Sequence, residues 1–134
     1  MNVELEAKPH ALSASLGLER VVDHGESGRA VIEYRATMAM CHSGGIVQGG
    51  FITGWLDAAM AHVVLAQTNY EFSPLSYEIK VSFLQSAAPG LVIAEAWIEK
   101  RGRSTVFTEA LLRDEAGEVL AKASSTARLV PVKR

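Results

Sequence analysis

The sequence predicts an α+β domain in which one long helix lies against an antiparallel sheet. Three observations carry this expectation. Residues 49–68 are an apolar stretch of helical length opened by the pair Gly49 and Gly50. From Tyr77 the period changes to two, with Tyr77, Ile79, Val81 and Phe83 alternating with Glu78, Lys80 and Ser82. The segments that follow are separated by short turn signals, which connect antiparallel strands, whereas parallel strands need long crossovers.

Each element has its own signal. Residues 9–17 predict a short N-terminal helix. Residues 18–23 and 29–37 read as strands around the turn cluster His24-Gly25-Glu26-Ser27-Gly28. In the second of these, Ala30, Ile32 and Tyr34 alternate with Val31, Glu33 and Arg35. Residues 38–47 form a loop before the central helix. Glu71-Phe72-Ser73-Pro74 breaks the chain after that helix, and four strands are expected beyond it. Pro89-Gly90, Arg101-Gly102-Arg103 and Asp114-Glu115-Ala116-Gly117 separate those four, which should follow one another through hairpin-like turns. The two earlier strands can join the same sheet. A single helix covers only one sheet face, so Ser124, Ser125 and Thr126 are expected on exposed or interface surface.

Bulk properties narrow the class. The 134 residues suit one domain, 1–134, with one core. A hydrophobic content of 49% fits a globular chain rather than a disordered one. A formal net charge of −2 gives no general attraction to nucleic acid or acidic membranes. Cys41 is the one cysteine, so no intrachain disulfide can form, which fits a reducing, cytoplasmic setting. Residues 1–9 carry Glu4, Glu6 and Lys8 without an apolar core, unlike a signal peptide. The apolar helix approaches the length of a membrane span, but Asp57, Gln48, His62 and several glycines interrupt it and no basic cluster flanks it. The four histidines are dispersed and neither HxxxH nor CxxC occurs, so no metal site is expected. No cofactor is expected either: phosphate loop, dinucleotide fingerprint and G-x-S-x-G are all absent.

Asp57 is the only formally charged residue between Cys41 and Glu71. A lone buried carboxylate is costly unless paired, bonded or neutralised, so it is expected to serve either catalysis or a structural network. In the first role it attacks a carbonyl or activates water; in the second it bonds to Thr53 or a neighbouring chain. The first N–H groups of the helix lack intrahelical acceptors and carry the positive end of the macrodipole. Gly49 and Gly50 leave room for a close approach, so a backbone N–H there can stabilise a developing oxyanion. Gln48 can donate from its amide to the same oxygen, or simply cap the helix.

Spacing then constrains the site. Gly49 and Asp57 are eight residues apart, about 12 Å along a helix. A catalytic base and an oxyanion donor must both lie about 3 Å from one reacting group. One helix cannot present both, but two helices packed antiparallel about a two-fold axis can. If these residues cooperate, the site is shared between two subunits.

Other residues carry weaker signals. His42 can orient water or hold an acyl group, although most lone loop histidines are inert. His62, five residues after Asp57, faces elsewhere and reads as structural. Ser76 can support Asp57 by a hydrogen bond. Arg101 and Arg103, beside Lys100, suit phosphates or form an ordinary solvated turn, as do Arg128, Lys133 and Arg134 at the tail. Phe51, Trp55, Met60 and Phe83 can line an acyl pocket, with a core role favoured for each.

The run His42-x5-Gln48-Gly49-Gly50-x6-Asp57-x-Ala59 resembles the signature of hotdog-fold acyl-CoA thioesterases of the phenylacetate-degradation type. The likeness extends from about Gly17 to Val130 and includes the strand at 76–84 and the turn at 100–104. It implies a long central helix wrapped by an antiparallel sheet of five or six strands. It implies homodimers joined edge to edge, often paired again into tetramers, and an acyl-coenzyme A substrate. By this resemblance the Gly49 N–H polarises the thioester carbonyl, Gln48 assists binding and Gly50 leaves room for it. Asp57 of the partner chain is the nucleophile or base, Ser76 places water, and Arg101 and Arg103 meet the coenzyme A phosphates. His42 departs from the Asn or Gln common at its position, and Met60 removes a hydroxyl that some relatives carry.

Two other functions compete. A non-catalytic acyl-CoA or lipid binder could use the same fold, though Asp57 adds nothing obvious to holding an apolar chain. A hotdog hydratase or dehydratase would pair an acid with a histidine, and Asp57 and His62 have unsuitable spacing for that.

Overall fold

The computed structural model describes residues 9–133; the expectations for residues 1–8 and for Arg134 lie outside them. Its elements run α1 (Pro9–Ser15), β1 (Leu18–Asp23), β2 (Arg29–Ala36), β3 (Cys41–His42), β4 (Ile46–Val47), α2 (Gly49–Gln67), β5 (Phe72–Phe83), β6 (Gly90–Arg101), β7 (Thr105–Asp114) and β8 (Val119–Pro131). Six strands form one antiparallel sheet in the order β1-β2-β6-β7-β8-β5. The helix α2 packs on one face of that sheet, chiefly against β6, β5, β7 and β2. This is the hotdog architecture.

Alternation in the strands explains which face receives the helix. Ala30, Ile32, Tyr34 and Ala36 of β2 are buried, as are Val106, Thr108, Ala110 and Leu112 of β7 and every second residue of β8 from Ala121 to Leu129. These period-two rows meet Trp55, Leu56, Ala59, Val63 and Val64, none of which retains exposed surface. By length and composition alone α2 could cross a bilayer. Here the sheet shields its apolar side instead, as in a core helix wrapped by other structure. Trp55 stacks on Tyr34 at 6.1 Å between ring centroids and donates its Nε1–H to the Leu16 carbonyl at 2.7 Å. One side chain thus ties the helix to the sheet and to the end of α1.

The structure departs from the sequence expectations in three places. First, the break at 71–74 does not exist, because β5 already begins at Phe72 and contains Pro74. Proline is tolerated because β5 is an edge strand that pairs only with β8. Second, β5 and β6 are not a hairpin. The segment 84–89 crosses the end of the sheet, and β6 takes its place beside β2 and β7. Pro89-Gly90 signals a change of direction but not which strands become neighbours. Third, Ser125 is buried rather than exposed, and its hydroxyl donates to the Glu78 carbonyl at 2.9 Å. That bond lies beside the register shift between Ser76 and Glu78, where ladder pairing is interrupted.

Two substitutions test this account. Trp55→Ala should cost about 3–5 kcal/mol in denaturant unfolding, with Trp55→Phe in between because it keeps the ring but leaves the Leu16 carbonyl unpaired. Gly17 has φ +73°, and a Cβ there would lie 2.4 Å from the Arg35 carbonyl oxygen. Gly17→Ala should therefore destabilise by more than about 1 kcal/mol, measured the same way.

Candidate active site

Short backbone contacts position the start of α2. The chain before it forms a small hairpin, with Cys41 opposite Val47 and His42 opposite Ile46, turning at Gly44 and Gly45 in left-handed conformation. The Val47 N–H then donates to the Ala87 carbonyl at 2.9 Å, and the Gln48 N–H to the Met40 carbonyl at 2.9 Å. Gln48 is the N-cap residue, and its side-chain Oε1 accepts the Gly50 N–H at 2.8 Å. A Cβ at Gly50 would lie 2.6 Å from that same oxygen, so a larger residue there would push the Gln48 side chain off its cap. The capping role of Gln48 is thus the one observed, and its Nε2 makes no hydrogen bond among the described residues. The Gly49 N–H is likewise without an acceptor among the described residues. An unpaired donor at a helix N-terminus is the arrangement that can receive an oxyanion.

Asp57 lies two turns along the helix, and the alternative in which its own chain buries it as a structural acid does not hold. It is an exposed residue of the protomer, on a part of α2 that the sheet does not cover. Thr53 does not partner it, because the Thr53 hydroxyl donates back to the Gly49 carbonyl at 2.9 Å. The Ser76 hydroxyl is placed as expected, donating to the Asp57 carboxylate over a long 3.4 Å. Partial desolvation raises the pKa of Asp57 above the usual carboxylate value, and the Ser76 hydrogen bond opposes that shift with a smaller effect.

The remaining predicted residues scatter. His42 is exposed, and its Nδ1 lies 3.1 Å from the Ser43 carbonyl oxygen. His62 is structural, with Nδ1 3.0 Å from the Ala58 carbonyl oxygen. Arg101 sits at the far end of α2, where its guanidinium reaches the Gln67 carbonyl at 3.5 Å, and Arg103 follows in the same turn. Neither makes an ion pair among the described residues. They are about 27 Å from Gly49 by helix rise, so one chain cannot bring them to its own helix N-terminus.

Sequence reasoning missed the surroundings of Gly49. Trp55 and Met60 are core residues as favoured, and Phe51 is partly buried against the core, but Phe83 is 55% exposed. Its ring lies against Gly49, where a Cβ would come within 3.2 Å of it. Beside it opens a cavity of about 360 Å³, lined chiefly by Ile46, Val47, Ile52, Phe83, Leu84 and Ala87, with Gly49 on its wall. The signal available was the adjacent pair Phe83 and Leu84, which breaks the period-two pattern of β5. A second cavity of about 350 Å³, between Pro89 and Asp114-Glu115, includes neither Gly49 nor Asp57. No group of three or more metal-ligating side chains occurs among the described residues.

Comparison with known proteins supplies the family. Residues 44–121, more than half the chain, match the model of the thioesterase superfamily. A candidate thioesterase from Ralstonia eutropha JMP134, a phenylacetic acid degradation-related protein, is 31% identical in sequence. The match covers 96% of this chain and 92% of that one, with a TM-score of 0.79. A candidate esterase of Saccharolobus solfataricus is 28% identical over 98 residues, covering 73% of this chain and 69% of its own length. A hypothetical thioesterase from Streptococcus pneumoniae TIGR4, solved with coenzyme A, shares the fold at 15% identity and a TM-score of 0.78, with 93% and 96% of the two chains covered. The chain belongs to the thioesterase superfamily, as a hotdog-fold member of the phenylacetate-degradation type.

Proposed function

We propose that the protein hydrolyses acyl-coenzyme A thioesters at a site completed by two copies of the chain. The observation that carries this reading is a separation within the protomer. The unpaired Gly49 N–H and the exposed Asp57 carboxylate belong to one helix, about 12 Å apart, and each lacks the complementary group beside it. An antiparallel partner helix supplies both complements at once. The edge strand β5 supports such a partner, since it exposes Leu75 and Tyr77 on a strand whose other edge is unpaired. Two such dimers pair again in the assembly we favour. The coenzyme A bound by the pneumococcal neighbour supports the choice of substrate.

In this arrangement the thioester carbonyl oxygen accepts the Gly49 N–H, with the Gln48 amide as a second donor. The partner's Asp57 acts on the carbonyl carbon as nucleophile or through a water that it deprotonates. Ser76 orients that carboxylate or its water. The carbon–sulfur bond breaks and the coenzyme A thiolate leaves; the water route gives the acid directly, whereas the nucleophilic route leaves an acyl anhydride on Asp57 that water then cleaves to release the acid. A thiolate is a good leaving group, so a general acid is not essential. His42 contributes a hydrogen bond at the mouth of the site. With the partner's Asp57 level with Gly49, the partner's Arg101 and Arg103 fall about 15 Å beyond the helix start. That span suits a pantetheine arm ending in phosphates.

Thiol release from acyl-CoA tests the reading. Asp57→Asn should lower kcat by about 100-fold or more; undiminished turnover would sink the mechanism. The stability sign is opposite. Because the folded-state pKa of Asp57 is raised, the folded state binds the proton more tightly, and stability falls as pH rises from the unfolded pKa through the folded one. Above that window the ionised acid is a standing penalty, so Asp57→Asn should unfold at neutral pH no earlier than the wild type. Activity should rise with pH through the raised Asp57 pKa, since both routes need the carboxylate ionised, and that limb should vanish in Asp57→Asn. Gly50→Ala should displace the Gln48 cap, costing about 1 kcal/mol of stability and depressing kcat/KM; unchanged values of both would remove Gln48 from the site.

A further inference from the structure

We propose that the cavity beside Gly49 receives the acyl group and that Phe83 selects it, admitting uncharged apolar groups of medium size and refusing charged ones. The proposal rests on the thioesterase reading above and names the substrate class of that same site.

Position comes first. Gly49 is itself part of the cavity wall, so a carbonyl held on its N–H has its acyl substituent at the opening. The Phe83 ring packs against the Gly49 backbone, and an acyl chain leaving that carbonyl runs along the ring. The backbone holds the ring there. Phe83 ends β5, and the next two N–H groups, of Leu84 and Gln85, both donate to the Leu120 carbonyl at 2.9 and 3.0 Å.

The lining then decides the chemistry. Among the described residues no charged side chain borders the cavity. The one amide on its wall, Gln85, donates its Nε2 to Glu118 and is engaged there. The Val47 N–H and Ala87 carbonyl satisfy each other. Ser86 offers the one remaining side-chain hydroxyl. A carboxylate at the end of an acyl chain would lose water here without a counter-charge. The two amides of a pantetheine arm would find few partners, so that arm must leave by the open side and the acyl group must take the cavity.

Volume sets the size. The cavity measures about 360 Å³. A methylene is comparable to a water molecule's share of the liquid, roughly 30 Å³, which leaves room for at most about a dozen such groups. A six- to eight-carbon chain or an arylacetyl group takes up about half to two thirds of it, and a sixteen-carbon chain overruns it. The aromatic face of Phe83 adds offset or edge contacts for an aryl group.

The test compares kcat/KM for acetyl-, hexanoyl-, octanoyl-, phenylacetyl-, succinyl- and palmitoyl-CoA. Binding of the same six to Asp57→Asn is measured in parallel. From acetyl to hexanoyl the preference should rise about fourfold per methylene, and succinyl-CoA should fall on the order of 1,000-fold below hexanoyl-CoA, and so below acetyl-CoA as well. Palmitoyl-CoA should gain nothing over octanoyl-CoA. Phe83 is more than half exposed, so its truncation spares the core. Phe83→Ala should lower the hexanoyl-to-acetyl ratio about tenfold, whereas Phe83→Leu should keep that ratio and lose severalfold on phenylacetyl-CoA. A flat profile, equal use of succinyl-CoA, or ratios unmoved by Phe83→Ala overturns the proposal even if every substrate is hydrolysed. Absence of thiol release from any substrate refutes the thioesterase reading instead, and the binding profile then decides the cavity by the same ratios.

Discussion

Two backbone hydrogen bonds, from Val47 to Ala87 and from Gln48 to Met40, fix where the central helix begins. The candidate site depends on that anchor. It sets the first turn of α2 against the 84–89 crossover, so that Gly49 lies against the Phe83 ring and on the wall of the apolar cavity. A helix start floating in solvent would have its donors hydrated. Here Gln48 caps Gly50, and the donor at Gly49 is left beside an apolar wall. A dipole held in such surroundings needs little reorganisation when charge develops opposite it.

Asp57 shows the complementary constraint. The helix face toward the sheet carries no charge and is fully packed, while the face left open carries one acid with a raised pKa. Such a group works against folding at neutral pH, and its retention in an otherwise apolar helix fits a site that trades stability for chemistry. The same open face and the apolar edge of β5 leave the protomer with surface that a second copy can cover. The uncovered side of α2 and its neighbouring strand thus carry both the lone acid and the apolar edge.

Much of the fold was legible because period and turn chemistry are local. The helix, its glycine start and the strand positions follow from patterns within about a dozen residues, and β1 matches its expected bounds of Leu18 to Asp23. Strand neighbours did not follow. The turn at Pro89-Gly90 reads like those at 101–103 and 114–117, yet only the latter two join adjacent strands. Pairing of β5 with β8 brings together residues 38 to 59 positions apart, and no local signal encodes it.

The sequence by itself determined the chemistry available: one acid in an apolar helix, two glycines and an amide at its start, and a spacing that forbids both groups from serving one carbonyl in one chain. Only the tertiary structure decided that Asp57 stands uncovered, that Gln48 spends its oxygen on Gly50, and that Phe83 leaves the core to wall a cavity. The physical reason is that residue type and helical rise are properties of the chain, whereas exposure and cavity shape arise where distant segments meet. The 84–89 crossover is that meeting place here.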